Sequence, residues 1–230
     1  MASLRTVLTI GLTLLFGIMT AGVALADGDN DNDKGKTYSV TITNLTKKQI
    51  LTPPVVISHN SDFRLFMIGH PAGDGLVAVA EGGNTMPLEA MLGTHDEVFD
   101  YRVAGGGILP GQSMTLMIDA KGQYRYLSLV GMLASTNDAF VAVNGTRLPH
   151  DRMKSLTAVA YDAGSEANTE LCSDLPGPPC AADSGNARVT MGAEGFVHVH
   201  NGIHGVGDLS AANMDWHNPV ATVVIKKMKD

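Results

Sequence analysis

The feature that most constrains the fold is a series of short β-forming segments separated by turn-forming residues. In "TYSVTITNLT", Tyr38, Val40 and Ile42 alternate with Ser and Thr, which is the period-2 pattern of a strand with one buried face. Clusters such as "GGGILPGQ" and "NGTRLP" lie between these segments. Many short strands with regular turn signals predict an all-β fold, specifically an antiparallel β-sandwich.

The remaining predicted strands follow the same composition. They are "PPVVISHN", "FRLFMIG", "SMTLMIDA", "YRYLSLVGML", "AFVAVNG", "LTAVAYDAG", "ARVTMG", "GFVHVHNG" and "VATVVIKKM". Two segments interrupt the series. Helix formers run from Leu76 to Glu81 and from Pro87 to Leu92, and "GDLSAANMDW" can form one helical turn capped by Asp208 or Ser210. Short helices are therefore expected in the connections.

The N-terminus has the three-part pattern of a secretory signal peptide. Arg5 is the positive n-region, Val7–Val23 the apolar core, and Ala24–Ala26 a small-residue cleavage motif. An uncleaved membrane anchor is the alternative, because the core is about long enough to span a bilayer. We expect a signal peptide over residues 1–26, a disordered acidic leader over 27–36, and one domain over 37–228. No later apolar run approaches membrane-spanning length, so we expect a secreted or periplasmic protein without a transmembrane segment after cleavage.

Composition argues against several functional classes. The formal net charge is −7 and the sequence has no basic stripe, so nucleic acid is not expected as a partner. No G-x-S-x-G elbow or phosphate-binding loop occurs in the sequence. A single Trp and 5% aromatic residues disfavour a carbohydrate-cleaving cleft. We therefore expect a protein that is not an enzyme.

The two cysteines lie close together, in "ELCSDLPGPPCAAD". Their spacing is not that of a C-x-x-C redox motif, and an isolated pair in an exported protein usually forms a disulfide. Two free thiols are the alternative. We predict a local disulfide between Cys172 and Cys180 that closes a short, proline-rich loop.

Two acidic corners form the first candidate metal site. Asp138 immediately precedes the strand "AFVAVNG", and Asp162 and Glu166 follow "LTAVAY". If these strands are antiparallel neighbours, the start of one and the end of the other lie at the same edge of the sheet. Carboxylate and carbonyl oxygens are the ligands that Ca²⁺ takes. The pattern predicts one calcium site, with solvated acidic loops as the alternative.

A histidine-rich segment forms the second candidate. In "HVHNGIHG", His198 and His200 face the same side if the segment is a strand, and His204 follows in the next turn. An H-x-H pair of this kind binds copper or zinc. The alternative is that these histidines hydrogen-bond to the backbone of a glycine-rich loop near Trp216.

Five motifs carry a family resemblance. The segments "YSVTITNLT", "LTPPVVISHN", "ASTNDAFVAVNG", "YDAGSEANTELC" and "HNPVATVVI", in this order from about Tyr38 to Ile225, resemble the spondin N-terminal domain in a stand-alone bacterial form. The resemblance implies an antiparallel β-sandwich of about eight main strands, similar to calcium-dependent lipid-binding modules. It also implies one calcium site at an end of the sandwich, with Asp138, Asp162 and Glu166 as ligands.

The family occurs in extracellular-matrix and cell-adhesion proteins, so the resemblance implies a calcium-binding adhesion or binding module. An extracellular protein or glycan is the expected partner. The third ligand that the resemblance implies is an Asp in animal members and Glu166 here. The thrombospondin-type repeats of animal spondins are absent from this sequence, so integrin and matrix binding are not carried over.

Overall fold

The computed structural model describes residues 35–180 and 187–229. The predicted signal peptide and residues 27–34 of the predicted leader lie outside the described residues. Lys36, the last residue of that leader, begins the first strand. Within the described ranges, no helix combines the length and the apolar character needed to span a membrane.

The described residues form nine strands and three short helices. In chain order they are β1 (Lys36–Asn44), β2 (Val55–His59), α1 (Asp74–Gly82), α2 (Met86–Leu92), β3 (Val98–Val103), β4 (Ser113–Ala120), β5 (Tyr126–Met132), β6 (Ala139–Arg147), β7 (Met153–Asp162), β8 (His198–Val199), α3 (Ala211–Met214) and β9 (Ala221–Lys227). The helices lie in the connections, as the sequence predicts.

The strands form an antiparallel sandwich whose two sheets share one strand. Strands β4, β1, β9 and β7 pair in one sheet, and β7, β6, β5, β2 and β3 pair in the other. The first half of β7 pairs with β9 and its second half pairs with β6, so β7 crosses from sheet to sheet. The outermost strands, β3 and β4, also approach each other, and the Asp119 amide of β4 donates to Asp100 Oδ2 of β3 at 3.0 Å. The predicted antiparallel β-sandwich is confirmed as a nearly closed structure.

Two apolar cores flank the second sheet. Strand β2 is buried along its whole length, and its residues alternate between the cores. Val56 packs in the larger core between the sheets, whereas Val55 and Ile57 pack beneath α1 and α2 on the outer face. A strand buried on both faces is expected to begin as a continuous apolar run, as Val55–Ile57 does. The buried Ser58 and His59 that complete β2 are hydrogen-bonded, to the Asp119 carbonyl at 2.6 Å and to the Ser128 hydroxyl at 2.9 Å.

Some predicted strands are absent from the described residues. Residues 63–69 form a loop, because Asn144 accepts from the Leu65 amide at 3.2 Å and donates to the Phe66 carbonyl at 2.7 Å. Residues 187–192 contain no strand, and only His198–Val199 of "GFVHVHNG" pairs as one. Conversely, the alternation of apolar residues did not predict β3, an edge strand that carries Asp100 and Arg102.

Candidate metal centre

Strands β6 and β7 bring the first two predicted ligands together. The strands are antiparallel neighbours, with Ala139 opposite Asp162. Asp138 immediately precedes β6 and Asp162 ends β7, so the two carboxylates lie at one end of the sandwich. The Ala163 amide donates to the Asp138 carbonyl at 3.2 Å and fixes the corner where β7 leaves the sheet.

Asp138 is a buried carboxylate with one oxygen satisfied and one unsatisfied. Its Oδ2 accepts from the Ser165 amide at 2.7 Å, from the Glu166 amide at 3.0 Å and from the Ser165 hydroxyl at 3.2 Å. Its Oδ1 is buried without a hydrogen-bond partner among the described residues. Burial and the nearby Asp162 carboxylate raise the pKa of Asp138 to about 7 despite these donors. A buried carboxylate oxygen without a hydrogen-bond donor is unfavourable, and a bound proton or cation would stabilise it.

Asp162 lies at the junction of the acidic corner and the histidine segment. Its Oδ1 accepts from the Gly164 amide and its Oδ2 from the Asn168 side chain, both at 2.7 Å. The Nε2 atoms of His198 and His200 approach these oxygens at 3.6 and 3.7 Å respectively. Asp162 is 1% exposed, so its carboxylate is stabilised by the Gly164 and Asn168 donors rather than by bulk water.

Gly164 explains why the two segments meet. Its φ is +65°, and a Cβ at this position would lie 2.3 Å from the Phe196 carbonyl oxygen. The Gly164 carbonyl accepts from the Gly195 amide at 2.8 Å. Only glycine permits both this left-handed turn and the close approach, and the contact places Glu194 and His198 beside Asp162.

His198 presents a bare nitrogen to carboxylates. Its Nδ1 donates to the Val199 carbonyl at 3.0 Å, which leaves Nε2 as the remaining ring atom. Nε2 is buried without a hydrogen-bond partner in the described part of the chain, 3.6 Å from Asp162 Oδ1 and 3.8 Å from Glu194 Oε2. Desolvation opposes protonation of His198, but the Val199 carbonyl and the surrounding carboxylates outweigh it and raise the pKa. A proton or a metal ion at Nε2 would relieve the repulsion between these lone pairs.

Asp162, Glu194 and His198 each offer a ligand atom, and the three atoms lie within 4.8 Å of one another. In the described part of the chain no other group of three His, Cys, Asp or Glu residues meets this distance. The sequence did not identify Glu194, since it lies in a loop without periodicity. Its position four residues before His198 becomes informative only once Gly164 draws that loop against Asp162.

The Glu166 carboxylate faces away from this cluster. Its backbone amide binds Asp138, but its Oε1 accepts from the Val189 amide at 3.2 Å. The side chain lines a cavity of about 160 Å³ with Glu81 and Arg188. Burial, followed by the Glu81 charge, raises the pKa of Glu166 to about 7. Glu166 is therefore attached to the site through its main chain, and its carboxylate occupies the neighbouring cavity.

The three predicted histidine ligands do not converge. His200 accepts from the Gly202 amide at Nδ1 (2.9 Å) and donates from Nε2 to Asn168 Oδ1 (3.2 Å), so both nitrogens are engaged. Burial lowers its pKa to about 4, although the Asp162 charge acts in the opposite direction. The ring of His204 is exposed. Of the three, only His198 joins the cluster with Asp162.

The Glu170 carboxylate binds the loop that follows β8. Its carboxylate accepts from the amides of His204, Gly205 and Val206 at 2.6, 2.7 and 3.0 Å. Its own amide donates to Asn137 Oδ1 at 3.2 Å, beside Asp138. The acidic residues of "YDAGSEANTE" thus have different roles, because Glu170 binds backbone amides and is satisfied without an ion.

The predicted disulfide between Cys172 and Cys180 is confirmed, with an S–S distance of 2.02 Å. The loop it closes packs against the turn that precedes Asp138. The Ser135 hydroxyl donates to the Pro178 carbonyl, and the backbone of Gly177 lies against Ala134. The disulfide loop therefore supports the acidic corner from the outside.

Comparison with known proteins identifies the family. No curated protein matches the chain. The Spondin_N family model matches residues 36–178, which is more than half of the chain and includes Asp138, Asp162 and Glu166. Glu194 and His198 lie beyond the matched range. By this match, the chain belongs to the spondin N-terminal domain family.

Proposed function

We propose that this chain is an exported, non-catalytic binding module of the spondin type that holds one divalent cation at the Asp138–Asp162 corner. The observation that carries the proposal is the buried, unpartnered Oδ1 of Asp138 beside a second buried carboxylate. Two such charges repel each other, and a cation between them is the arrangement that satisfies both.

Calcium is the first candidate for the ion. Asp138 and Asp162 supply the oxygen ligands that Ca²⁺ takes, and main-chain carbonyls of the adjoining loop are of the same chemical type. Glu166, the third predicted ligand, is on this loop, but its carboxylate would have to leave the Val189 amide to reach the ion. The family resemblance to calcium-binding spondin domains supports the same choice.

A transition-metal ion is the second candidate, favoured by the Asp162–Glu194–His198 cluster. The Val199 carbonyl holds the Nδ1 proton of His198, so Nε2 has the free lone pair that zinc or copper binds. One imidazole and two carboxylates are a common ligand set for such ions, whereas calcium selects oxygen. The two candidates share Asp162 and differ in whether Glu166 or His198 is required.

Burial supports a structural role for the ion. Asp138 and Asp162 are 0% and 1% exposed, so a substrate has no access to their carboxylates. An ion there would fix the loops of one end of the sandwich into a single binding surface. The disulfide is consistent with export, where an extracellular protein or glycan is the expected partner.

Elemental analysis of protein purified without chelator, combined with thermal unfolding, tests the proposal. We expect one equivalent of metal and a Tm that falls by about 5 °C or more in chelator, because a ligand that binds only the folded state stabilises it. Asp162→Asn should abolish this difference. Metal-free protein whose Tm is the same with Ca²⁺, Zn²⁺ or chelator would refute the site.

Two matched variants distinguish the ions. If the ion is calcium, Glu166→Gln should reduce the Ca²⁺-dependent gain in Tm and His198→Gln should leave it unchanged. If it is zinc or copper, His198→Gln should abolish the gain and Glu166→Gln should not. Arg64→Gln changes an exposed side chain outside this corner and serves as the control.

A further inference from the structure

A cavity of about 190 Å³ lies at the end of the sandwich opposite the acidic corner. We call it the basic cavity, because its lining in the described part of the chain contains no Asp or Glu and five cationic side chains: Lys36, Lys121, Arg125, Arg147 and Lys227. It also contains Tyr38, Tyr124 and His150. The chain as a whole has 16 basic and 23 acidic residues, so this cluster of positive charge lies on a protein whose net charge is negative.

Strand register brings these residues together from distant parts of the sequence. Lys36 pairs with Ala120, so Lys121 follows at the adjacent position, and Tyr38 pairs with Lys227. In the other sheet, Arg147 pairs with Tyr126. Both sheets thus direct their terminal residues to the same opening, which the linear sequence does not reveal as a basic run.

Within the described residues, the cationic groups of the basic cavity have no acidic partners. No carboxylate among the described residues lies within 4.0 Å of the charged nitrogens of these five side chains, although acids outnumber bases in the chain. Arg125 Nε donates to the Gly122 carbonyl at 2.6 Å, and its terminal nitrogens make no hydrogen bond to any described residue. An anion bound in the cavity would reduce the mutual repulsion of these cations.

We propose that the basic cavity binds a phosphate monoester group. A phosphate dianion matches a cavity lined by several cations better than a single carboxylate does, and the planar guanidinium forks of Arg125 and Arg147 suit its oxygens. The volume is below the range of about 300–1,000 Å³ typical of drug-sized ligands, so the recognised part is the charged group with a small body. The group can belong to a soluble metabolite or to a lipid headgroup, and this binding does not depend on the cation site.

Calorimetric titration of the full chain with inorganic phosphate and with glycerol 3-phosphate tests the soluble source. Sedimentation with phosphatidylcholine vesicles, with and without phosphatidic acid, tests the lipid source. Saturable binding of either phosphate compound supports the proposal and assigns a soluble ligand. Binding only to vesicles that contain phosphatidic acid also supports it and assigns a headgroup, whereas no binding in any of these experiments overturns it.

Matched charge variants locate the site. We expect Arg125→Gln/Arg147→Gln to weaken binding at least about tenfold, since each charged hydrogen-bond donor contributes about one order of magnitude or more. Lys48→Gln/Lys226→Gln removes the same charge from exposed positions outside the cavity and should bind as the wild type does. Equal weakening in the two variants would indicate a nonspecific charge effect and would overturn the proposal. Thermal unfolding of both variants checks that the fold is intact.

Discussion

Asp138 is the residue whose surroundings are least compatible with its own charge. An Asp in an unfolded chain titrates near pH 4, whereas burial and Asp162 raise the pKa of Asp138 to about 7 in the fold. The metal-free folded state therefore binds this proton more tightly than the unfolded state does. The resulting stabilisation is fully present below about pH 4 and is lost as the pH rises to about 7.

We predict that Asp138→Asn stabilises the metal-free protein at pH 8 by roughly 2 kcal/mol. The amide retains an oxygen for the Ser165 and Glu166 donors, and its NH₂ group replaces the unpaired Oδ1 beside Asp162. Chemical denaturation in chelator measures the gain. The same substitution should remove stabilisation by added metal.

The free energy of unfolding of Asp138→Asn must be compared with that of the wild type at each pH. The pKa of Glu166 is raised, as that of Asp138 is, so Glu166 also makes stability fall as the pH rises. The pKa of His200 is lowered to about 4, so the contribution of His200 has the opposite sign and makes stability rise with pH from about 4 to 6.5. Subtraction cancels the contribution of His200 and leaves that of Asp138 together with its effect on Glu166 and His198. A difference that stays constant from pH 4 to 8 would mean that the carboxylate is already ionised at pH 4 in the fold.

Single residues also mark how much of the site the sequence could predict. Asp138 and Asp162 were predictable because each bounds one of two consecutive strands, and consecutive antiparallel strands usually pair. Glu194 was not, because its place depends on the contact between Gly164 and Phe196, which are far apart in the sequence. Side-chain direction was not predictable either, as the turn of Glu166 towards Val189 illustrates.

At the scale of elements, alternating patterns predict a strand when one face meets water. Strand β1 alternates and was identified correctly. Residues 63–69 form a loop on the outer core, where Phe63, Leu65 and Phe66 are buried without belonging to the sheet, whereas Met67 and Ile68 are exposed. Edge strand β3 carries charge, so its pairing is specified by its neighbours more than by its composition.

The disulfide loop is the element that supports the turn before β6. A Cβ on Gly177 would lie 2.0 Å from the Ala134 carbonyl oxygen and 2.4 Å from its carbon, both of which are backbone atoms. We expect Gly177→Ala to destabilise the fold by about 2 kcal/mol, because the loop must move away from the turn. Denaturant unfolding measures the loss.

The control for this substitution is Gly105→Ala, where an added Cβ meets nothing within 4 Å. It should change stability by less than about 0.5 kcal/mol. Gly177→Ala should also weaken metal binding, since the displaced turn carries Asp138. Unaltered stability and metal affinity would indicate that the loop is not coupled to the acidic corner.

At the scale of the whole molecule, the two ends of the sandwich differ in charge and in construction. Strand β6 runs from the acidic corner at Asp138 to the basic cavity at Arg147, so one strand joins both ends. The antiparallel β-sandwich followed from the sequence. The separation of charge between its ends did not, since it arises from the register of strands distant in sequence.

Because the acidic corner lies at one end of the sandwich, an ion bound there should slow hydrogen exchange only of backbone amides near that end. Added metal should slow hydrogen exchange of the Ser165 and Glu166 amides, which donate to Asp138, because the ion fixes that carboxylate. Amides of edge strand β3 that exchange by local opening should keep their rates, since β3 lies at the far edge of the second sheet. Hydrogen exchange with residue resolution, in chelator and in excess Ca²⁺ or Zn²⁺, measures both. Equal slowing of locally exchanging amides in both regions would place the ion elsewhere, and Asp162→Asn should abolish the slowing at Ser165.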